Sequence, residues 1–437
     1  MLVDFFFKNY ASFKEEQHFS FLASPRKEKF PKNEDNIAVL TPNLKLLKSA
    51  VVYGANASGK SNFLNAFNIF KQLVFSFGNI NGLANSLSGI NHFLLSDKSY
   101  KEPTLFEITF FIKGEYFRYG IEFTADEIIE EWLYRKVKRE ALVFHRKKDN
   151  TAWTKHIPEK YSIIRELWKK KMVRKEALLL TVAAQFNDPL ASEIQNAFRN
   201  LNVISGIRDV TYKNFTINIF SDDKQDYKKK IVELLKLADF GIDSILTKEI
   251  PGETVSVSVK GLSDDSPEIL RQKTTLKNLF SLRKIYSEKG EITGYSEMKF
   301  DVFESEGTKK FFHLLGPILD TLKDGKILII DELDTKLHPM LTKQIIKLFR
   351  NPVTNPHNAQ LIFATHDINL LEAKLFRRDQ IWFTEKNRFG ASQLFALTDF
   401  KKGVRNDDNI SKHYMEGRYG AIPYLADFKE YFEKQPE

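Results

Sequence analysis

Short apolar runs separated by polar turns open the chain. Leu2 to Lys8 is apolar and aromatic, Asn9-Tyr10-Ala11-Ser12-Phe13 is turn-like, and apolar residues resume from His18 to Leu22, which predicts two strands around a turn. Leu47 to Tyr53 is a further strand-length run and stops at Gly54. From Lys60 to Val74 the residues Phe63, Ala66, Phe67, Phe70 and Leu73 recur at three- and four-residue steps, the spacing of a helix. Phe106 to Phe123 alternates strictly about Lys113-Gly114, which predicts a hairpin, and Ile128 to Val137 extends the β character. The middle mixes strand-like pieces with amphipathic helices such as Asp226 to Phe240 and reads as an insertion. After about residue 295 the pattern becomes strand–helix–strand–helix, the mark of an α/β layer. The expected parts are therefore 1–125, an inserted mixed module over 126–295, and 296–437.

Three of the apolar runs end in residues that can do chemistry. Gly54-Ala55-Asn56-Ala57-Ser58-Gly59-Lys60-Ser61 follows a strand and opens a helix. Its glycines let the backbone wrap a phosphate, with amides and the helix N-terminus facing the anion. In that setting Lys60 reaches the β- and γ-phosphates and Ser61 offers an oxygen to Mg²⁺. Lys326-Ile327-Leu328-Ile329-Ile330-Asp331-Glu332 reads as a buried parallel strand with two carboxylates at its C-terminal end, where open α/β sheets bind ligands. Asp331 is the candidate Mg²⁺ ligand and Glu332 the candidate for polarising water. Leu361-Ile362-Phe363-Ala364-Thr365-His366-Asp367 ends another such strand, placing His366 where an imidazole can contact the γ-phosphate.

Composition narrows the field. The chain has no cysteine, which excludes thiol nucleophiles, disulfides and Cys-ligated metals. The 38 phenylalanines read first as core filling. No basic-then-apolar leader is visible, and no run reaches the ~18–20 apolar residues of a membrane span, so a cytoplasmic protein is expected. The net charge of +9 is unevenly placed: residues 131–175 hold 15 Lys and Arg against 5 Asp and Glu, leaving the rest close to neutral.

Together the three motifs resemble the ABC-type ATPases, in the branch of SMC, RecF and OLD-like proteins. The resemblance implies an α/β P-loop ATPase head built from both ends of the chain, using ATP and Mg²⁺. It assigns the nucleotide to residues 54–61 with Asn62, the metal to Ser61 and Asp331, and catalysis to Lys60, Glu332 and His366. Ser305-Glu306-Gly307-Thr308-Lys309-Lys310 is similar to the signature loop that caps the partner subunit's nucleotide, although Ser305 with Thr308 also suits a plain helix cap. With residues 54–61 as the Walker A loop and 327–331 as the Walker B strand, Asp334, in Leu333-Asp334-Thr335, resembles the loop after Walker B that crosses the dimer interface, so a head-to-tail homodimer is implied. The glutamine the family places after the Walker A helix is not found; Gln72 lies within that helix pattern.

A narrower resemblance rests on Asn9 to Phe13, Gly54 to Gly59, Glu131-Trp132-Leu133-Tyr134, Leu178 to Asn187 and Gly417 to Pro423. These strings look like AbiLi/RloA-type ATPases of bacterial abortive-infection loci. That resemblance implies anti-phage defence with a separately encoded effector, a nuclease among the candidates. A RecF-like DNA-maintenance ATPase is the alternative. The chain itself offers no nuclease constellation. In the basic segment Trp132, Tyr134, Phe144, Trp153, Tyr161 and Trp168 interleave with the charges. That suits nucleic acid, an acidic protein partner, or simply a half-buried strand followed by a solvated helix at Lys169-Lys170-Lys171.

Overall fold

The computed structural model describes residues 1–25, 33–76, 87–147, 151–153, 162–207, 210–222, 226–251, 255–258, 269–272, 275–372, 375–400, 404, 408–423 and 427–429. Contacts divide the chain into two compact units. The first is Met1–Ile207, Asp320–Thr335 and Thr342–Glu437; the second is Arg208–Leu319 and Lys336–Leu341.

In the first unit an antiparallel sheet is built from β1 (Leu2–Lys8), β2 (Gln17–Ser20), β6 (Thr104–Ile112), β7 (Glu115–Phe123), β8 (Ile128–Lys136), β9 (Glu140–Lys147) and β10 (Thr151–Trp153), in the order β10-β9-β8-β7-β6-β1-β2. The predicted hairpin is β6–β7, turning at Lys113 and Gly114, both with positive φ (48° and 88°). The border expected at residue 125 falls inside this sheet. β7 pairs with β8 from Tyr116↔Lys136 to Phe123↔Ile128, so the alternation simply continues.

The second sheet of this unit comprises β5 (Ser49–Gly54), β11 (Leu201–Ser205), β17 (Ile327–Asp331), β18 (Gln360–Ala364), β19 (Ile381–Lys386) and β20 (Ser392–Ala396). Its order is β11-β17-β18-β5-β19-β20, parallel except for β20. Strands β5, β17 and β18 are covered on both faces, which is why they read as unbroken apolar runs. The run beginning at Leu47 is two elements: Leu44–Leu47 is β4, paired with β3 (Ile37–Thr41), and β5 starts at Ser49.

Helix α1 (Lys60–Phe75) lies between the two sheets. Its Phe67 ring stacks on Phe5 at 4.0 Å and its Phe70 on Phe106 at 5.5 Å, while its apolar stripe shares one core with Ala50, Val52, Ile329 and Ile362. Much of the phenylalanine excess fills this layer. The unit also holds α2 (Ser162–Lys169), α3 (Leu179–Gln185), α4 (Pro189–Arg199), α10 (Asn369–Glu372) and α11 (Ile410–Met415).

The second unit has an antiparallel sheet of β12 (Ser244–Pro251), β15 (Thr275–Tyr286) and β16 (Ile292–Lys299), and a separate pair, β13 (Val255–Ser258) with β14 (Ile269–Gln272). Helices α5 (Val210–Ser221), α6 (Tyr227–Leu237) and α7 (Phe300–Phe303) belong to it. So does the start of α8 (Glu306–Asp324), whose Phe312 packs against Phe220 and Phe300 at 5.6 and 5.0 Å. Helix α9 (Pro339–Arg350) follows β17.

Candidate functional site

The first unit's parallel strands bring the predicted residues to one edge of the sheet. β5 delivers Gly54, and α1 begins at Lys60 without any side-chain cap, leaving its first amides for another acceptor. A Cβ on Gly54 would lie 2.5 Å from Ser58 Oγ and from the Thr384 carbonyl and hydroxyl oxygens, so only glycine fits. Gly59 sits at φ 116° against Ser392, Ser12 and Phe13. Lys60 is buried and donates from Nζ to the carbonyls of Gly54 (2.8 Å) and Ala55 (3.0 Å). Burial lowers its pKa, opposed by the charges of Asp331, Glu332 and Asp334.

Asp331 stands opposite α1. Burial pushes its carboxyl up, the Ser61 hydroxyl hydrogen-bonds it, and its Oδ1 is buried with no partner. Glu332 follows at φ 54°, a conformation disfavoured for a side chain of this kind and frequent at functional sites. The Thr335 hydroxyl donates to its Oε2 at 3.0 Å. Asp334 accepts from the His366 amide at 3.4 Å, and its Oδ1 is likewise buried without a partner. Burial and then Lys60 lower the His366 pKa, favouring neutral imidazole. Beside Asp331 the neighbouring strand β11 ends at Ser205, and the Gly206 amide donates to the Asp331 carbonyl at 2.5 Å.

These residues fit a nucleoside polyphosphate with a divalent cation. The helix N-terminus is uncapped, the Lys60 ammonium is at hand, and Asp331 meets the Ser61 hydroxyl while its Oδ1 is left buried without a partner. Asn62, also predicted for the nucleotide, spends its amide on the Ser12 hydroxyl at 2.9 Å. The signature candidates lie in the second unit. There Ser305 Oγ accepts from the Thr308 amide at 3.1 Å and meets Thr308 Oγ1 at 2.8 Å, the cap of α8. Glu306 is held down to about 2 by Lys336 and Lys309, and a Cβ on Gly307 would come within 2.9 Å of the Lys336 carbonyl.

Several contacts carry no local mark in the sequence. Thr384 on β19 hydrogen-bonds Ser58 through the two hydroxyls at 2.6 Å, pinning the phosphate loop. Tyr53 donates to the Asp367 carbonyl at 3.0 Å. The run Ile381-Trp382-Phe383-Thr384 is the available signal for β19, but nothing local ties it to residue 58.

The basic segment is more compensated than its count suggests. Arg135 pairs with Glu115, Arg146 with Glu131, and Lys147 with Glu130, all on the antiparallel sheet. Lys169 and Lys170 share Glu166 at 3.8 and 3.9 Å. The Trp153 side chain and Tyr161 lie outside the described residues.

Residues 49–372 match the family described as “AAA domain, putative AbiEii toxin, Type IV TA system”. The chain belongs to this AAA family, which makes it a nucleotide-binding protein of ATPase type. The SMC head domain from Thermotoga maritima is similar over 90% of this chain and 98% of that chain, at a TM-score of 0.40 and 13% identity. No curated protein matches. Among the described residues, no helix is long and apolar enough to cross a membrane.

Proposed function

We propose that the protein binds ATP with Mg²⁺ on residues 54–62 and hydrolyses it as an ABC-type ATPase. The observation that carries this is the meeting of Ser61 with Asp331, whose second oxygen is orphaned, under the uncapped start of α1. Ser61 and Asp331 would hold the cation, which when bound neutralises charge on the phosphates. Lys60 would exchange its two loop carbonyls for the β- and γ-phosphate oxygens. Glu332, released from Thr335, orients and polarises water, and His366 donates a hydrogen bond to the γ-phosphate. Ser305, Gly307 and Thr308 of a second copy would complete the site in a head-to-tail homodimer, with Asp334 at the seam.

The cellular role we infer is sensing in bacterial anti-phage defence, with hydrolysis controlling a separately encoded effector, a nuclease being one candidate. The family description and the abortive-infection resemblance both support it. The biochemical test is ATP turnover by Glu332→Gln, expected to fall at least about 100-fold with nucleotide still bound. Equal turnover by wild type and variant would remove the hydrolase assignment. The cellular test is co-purification from the native host with neighbouring genes present; recovery of no partner with or without phage would count against the defence role.

A further inference from the structure

Tyr53 is a fully buried phenol that neither the phosphate loop nor the carboxylates require, only 1% exposed on the face of β5 away from α1. Its hydroxyl donates to the Asp367 carbonyl at 3.0 Å, the residue after His366. That carbonyl otherwise receives only the Leu370 amide at 3.4 Å among the described residues. Burial, Asp367 and Asp334 hold the Tyr53 pKa well above its ordinary value, so the phenol keeps its proton and remains a donor. Within the His366 loop the Asp367 amide donates to the Thr365 hydroxyl at 3.0 Å, and the Asn369 amide and side chain donate to Asp367 Oδ1 at 2.9 and 2.7 Å, bonds that shape the loop without tying it to β5. Thr365 donates to the Val52 carbonyl at 3.2 Å and the His366 amide to Asp334 at 3.4 Å.

The other side of the phenol is linked through Tyr414 and Phe383 to the string Gly417 to Pro423, which the nucleotide site leaves unused. Tyr53 packs on Tyr414 at 5.7 Å and on Phe383 at 6.4 Å, and Phe383 stacks on Tyr414 and Tyr419. Tyr414 donates to the Ala421 carbonyl at 3.1 Å, and the Ala421 amide donates to Glu385 at 3.1 Å. Gly417, Gly420 and Ala421 all have positive φ (73°, 64°, 58°). A Cβ on Gly420 would lie 2.8 Å from Glu385 Oε1, so a side chain there would both strain the backbone and push on the carboxylate that holds the Ala421 amide. Ser411 on α11 also reaches Glu372 on α10, directly after the loop, at 3.1 Å.

We propose that Tyr53 is a positioning residue that fixes the His366 loop for ATP turnover, and that the Gly417–Ala421 turn braces Tyr53 from behind. The proposal rests on the ATPase reading above. Two variants leave the phosphate loop and carboxylates intact: Tyr53→Phe removes one hydroxyl, and Gly420→Ala disturbs the brace. Each is compared with wild type by ATP kcat and KM, by thermal midpoint, and by hydrogen exchange of the peptide covering 365–372 without nucleotide.

The expected result for Tyr53→Phe is kcat lower by about three- to tenfold, the worth of one hydrogen bond, with KM within about twofold and faster exchange in that peptide. Gly420→Ala is expected to show the same pattern. A purely structural role would lower the midpoint and leave kcat per folded molecule unchanged, which overturns the proposal. Unchanged exchange overturns it as well. If wild type turns over no ATP, the ATPase reading fails, and faster exchange in Tyr53→Phe would then leave the loop contact standing while its catalytic role falls.

Discussion

Glu131 offers a severe test of how the first unit is held together. Its side chain is fully buried on β8 and accepts four hydrogen bonds: from Tyr119 (2.9 Å), the amides of Leu179 (2.7 Å) and Leu180 (2.9 Å), and Arg146 (3.4 Å). Arg146 is 5% exposed and also donates to the carbonyls of Ala177, Arg174 and Lys175. Glu131→Ala strands a buried guanidinium, one phenol and two amides at the start of α3. Breaking a buried ion pair from one side costs about 3–5 kcal/mol. Each orphaned donor adds roughly 1 kcal/mol before water and relaxation offset part of it. The expected loss is therefore about 4 kcal/mol, near 4–8 °C for a unit of this size. Urea unfolding followed by tryptophan fluorescence reads it, Trp132 being the adjacent residue. Adding Arg146→Ala should recover part of the loss, because the uncompensated charge goes with it. A loss below about 1 kcal/mol, or strict additivity in the double variant, would refute this account.

Other sites give further expected outcomes. Asp331→Asn should stabilise the nucleotide-free protein by roughly 1 kcal/mol and raise its thermal midpoint, since a carboxylate with one buried, unpartnered oxygen becomes neutral, while ATP-dependent stabilisation disappears. Thr384→Val keeps shape but strands the Ser58 hydroxyl, so nucleotide affinity should fall about three- to tenfold, read by titration calorimetry. Reversing Lys169, Lys170 and Lys171 to glutamate should leave the midpoint within about 1 °C, these side chains being solvated. If the helix docks on nucleic acid, the slope of log affinity against log salt flattens by about 2–3 in that variant, and an unchanged slope removes this face from consideration.

What can be read from the chain is whatever physics writes locally. The runs before Gly54, Asp331 and His366 are unbroken because those strands are buried on both faces, and the β6–β7 alternation is clean because one sheet face is solvated. What cannot be read depends on partners far away. Glu115 lies outside the window that makes 131–175 look so basic, yet it pairs with Arg135 inside it. Thr384 and Ser58 are 326 residues apart, and Tyr53 and Asp367 are 314 apart. Pairing of β7 with β8 runs across residue 125, and hairpin alternation carries no mark of where a sheet stops.

The strand order has a consequence for synthesis. β5, which carries the phosphate loop, has β18 and β19 as its sheet neighbours, and both are encoded more than 300 residues later. At about 5–20 residues per second, a ribosome needs roughly 15–65 s between making Gly54 and making Thr384. For nearly all of that interval the loop strand has two open edges, and only the face toward α1 has its covering residues already made. On the proposed assignment of nucleotide to residues 54–62, that site cannot be completed until nearly the end of translation, and it is during this wait that a chaperone would have most to do.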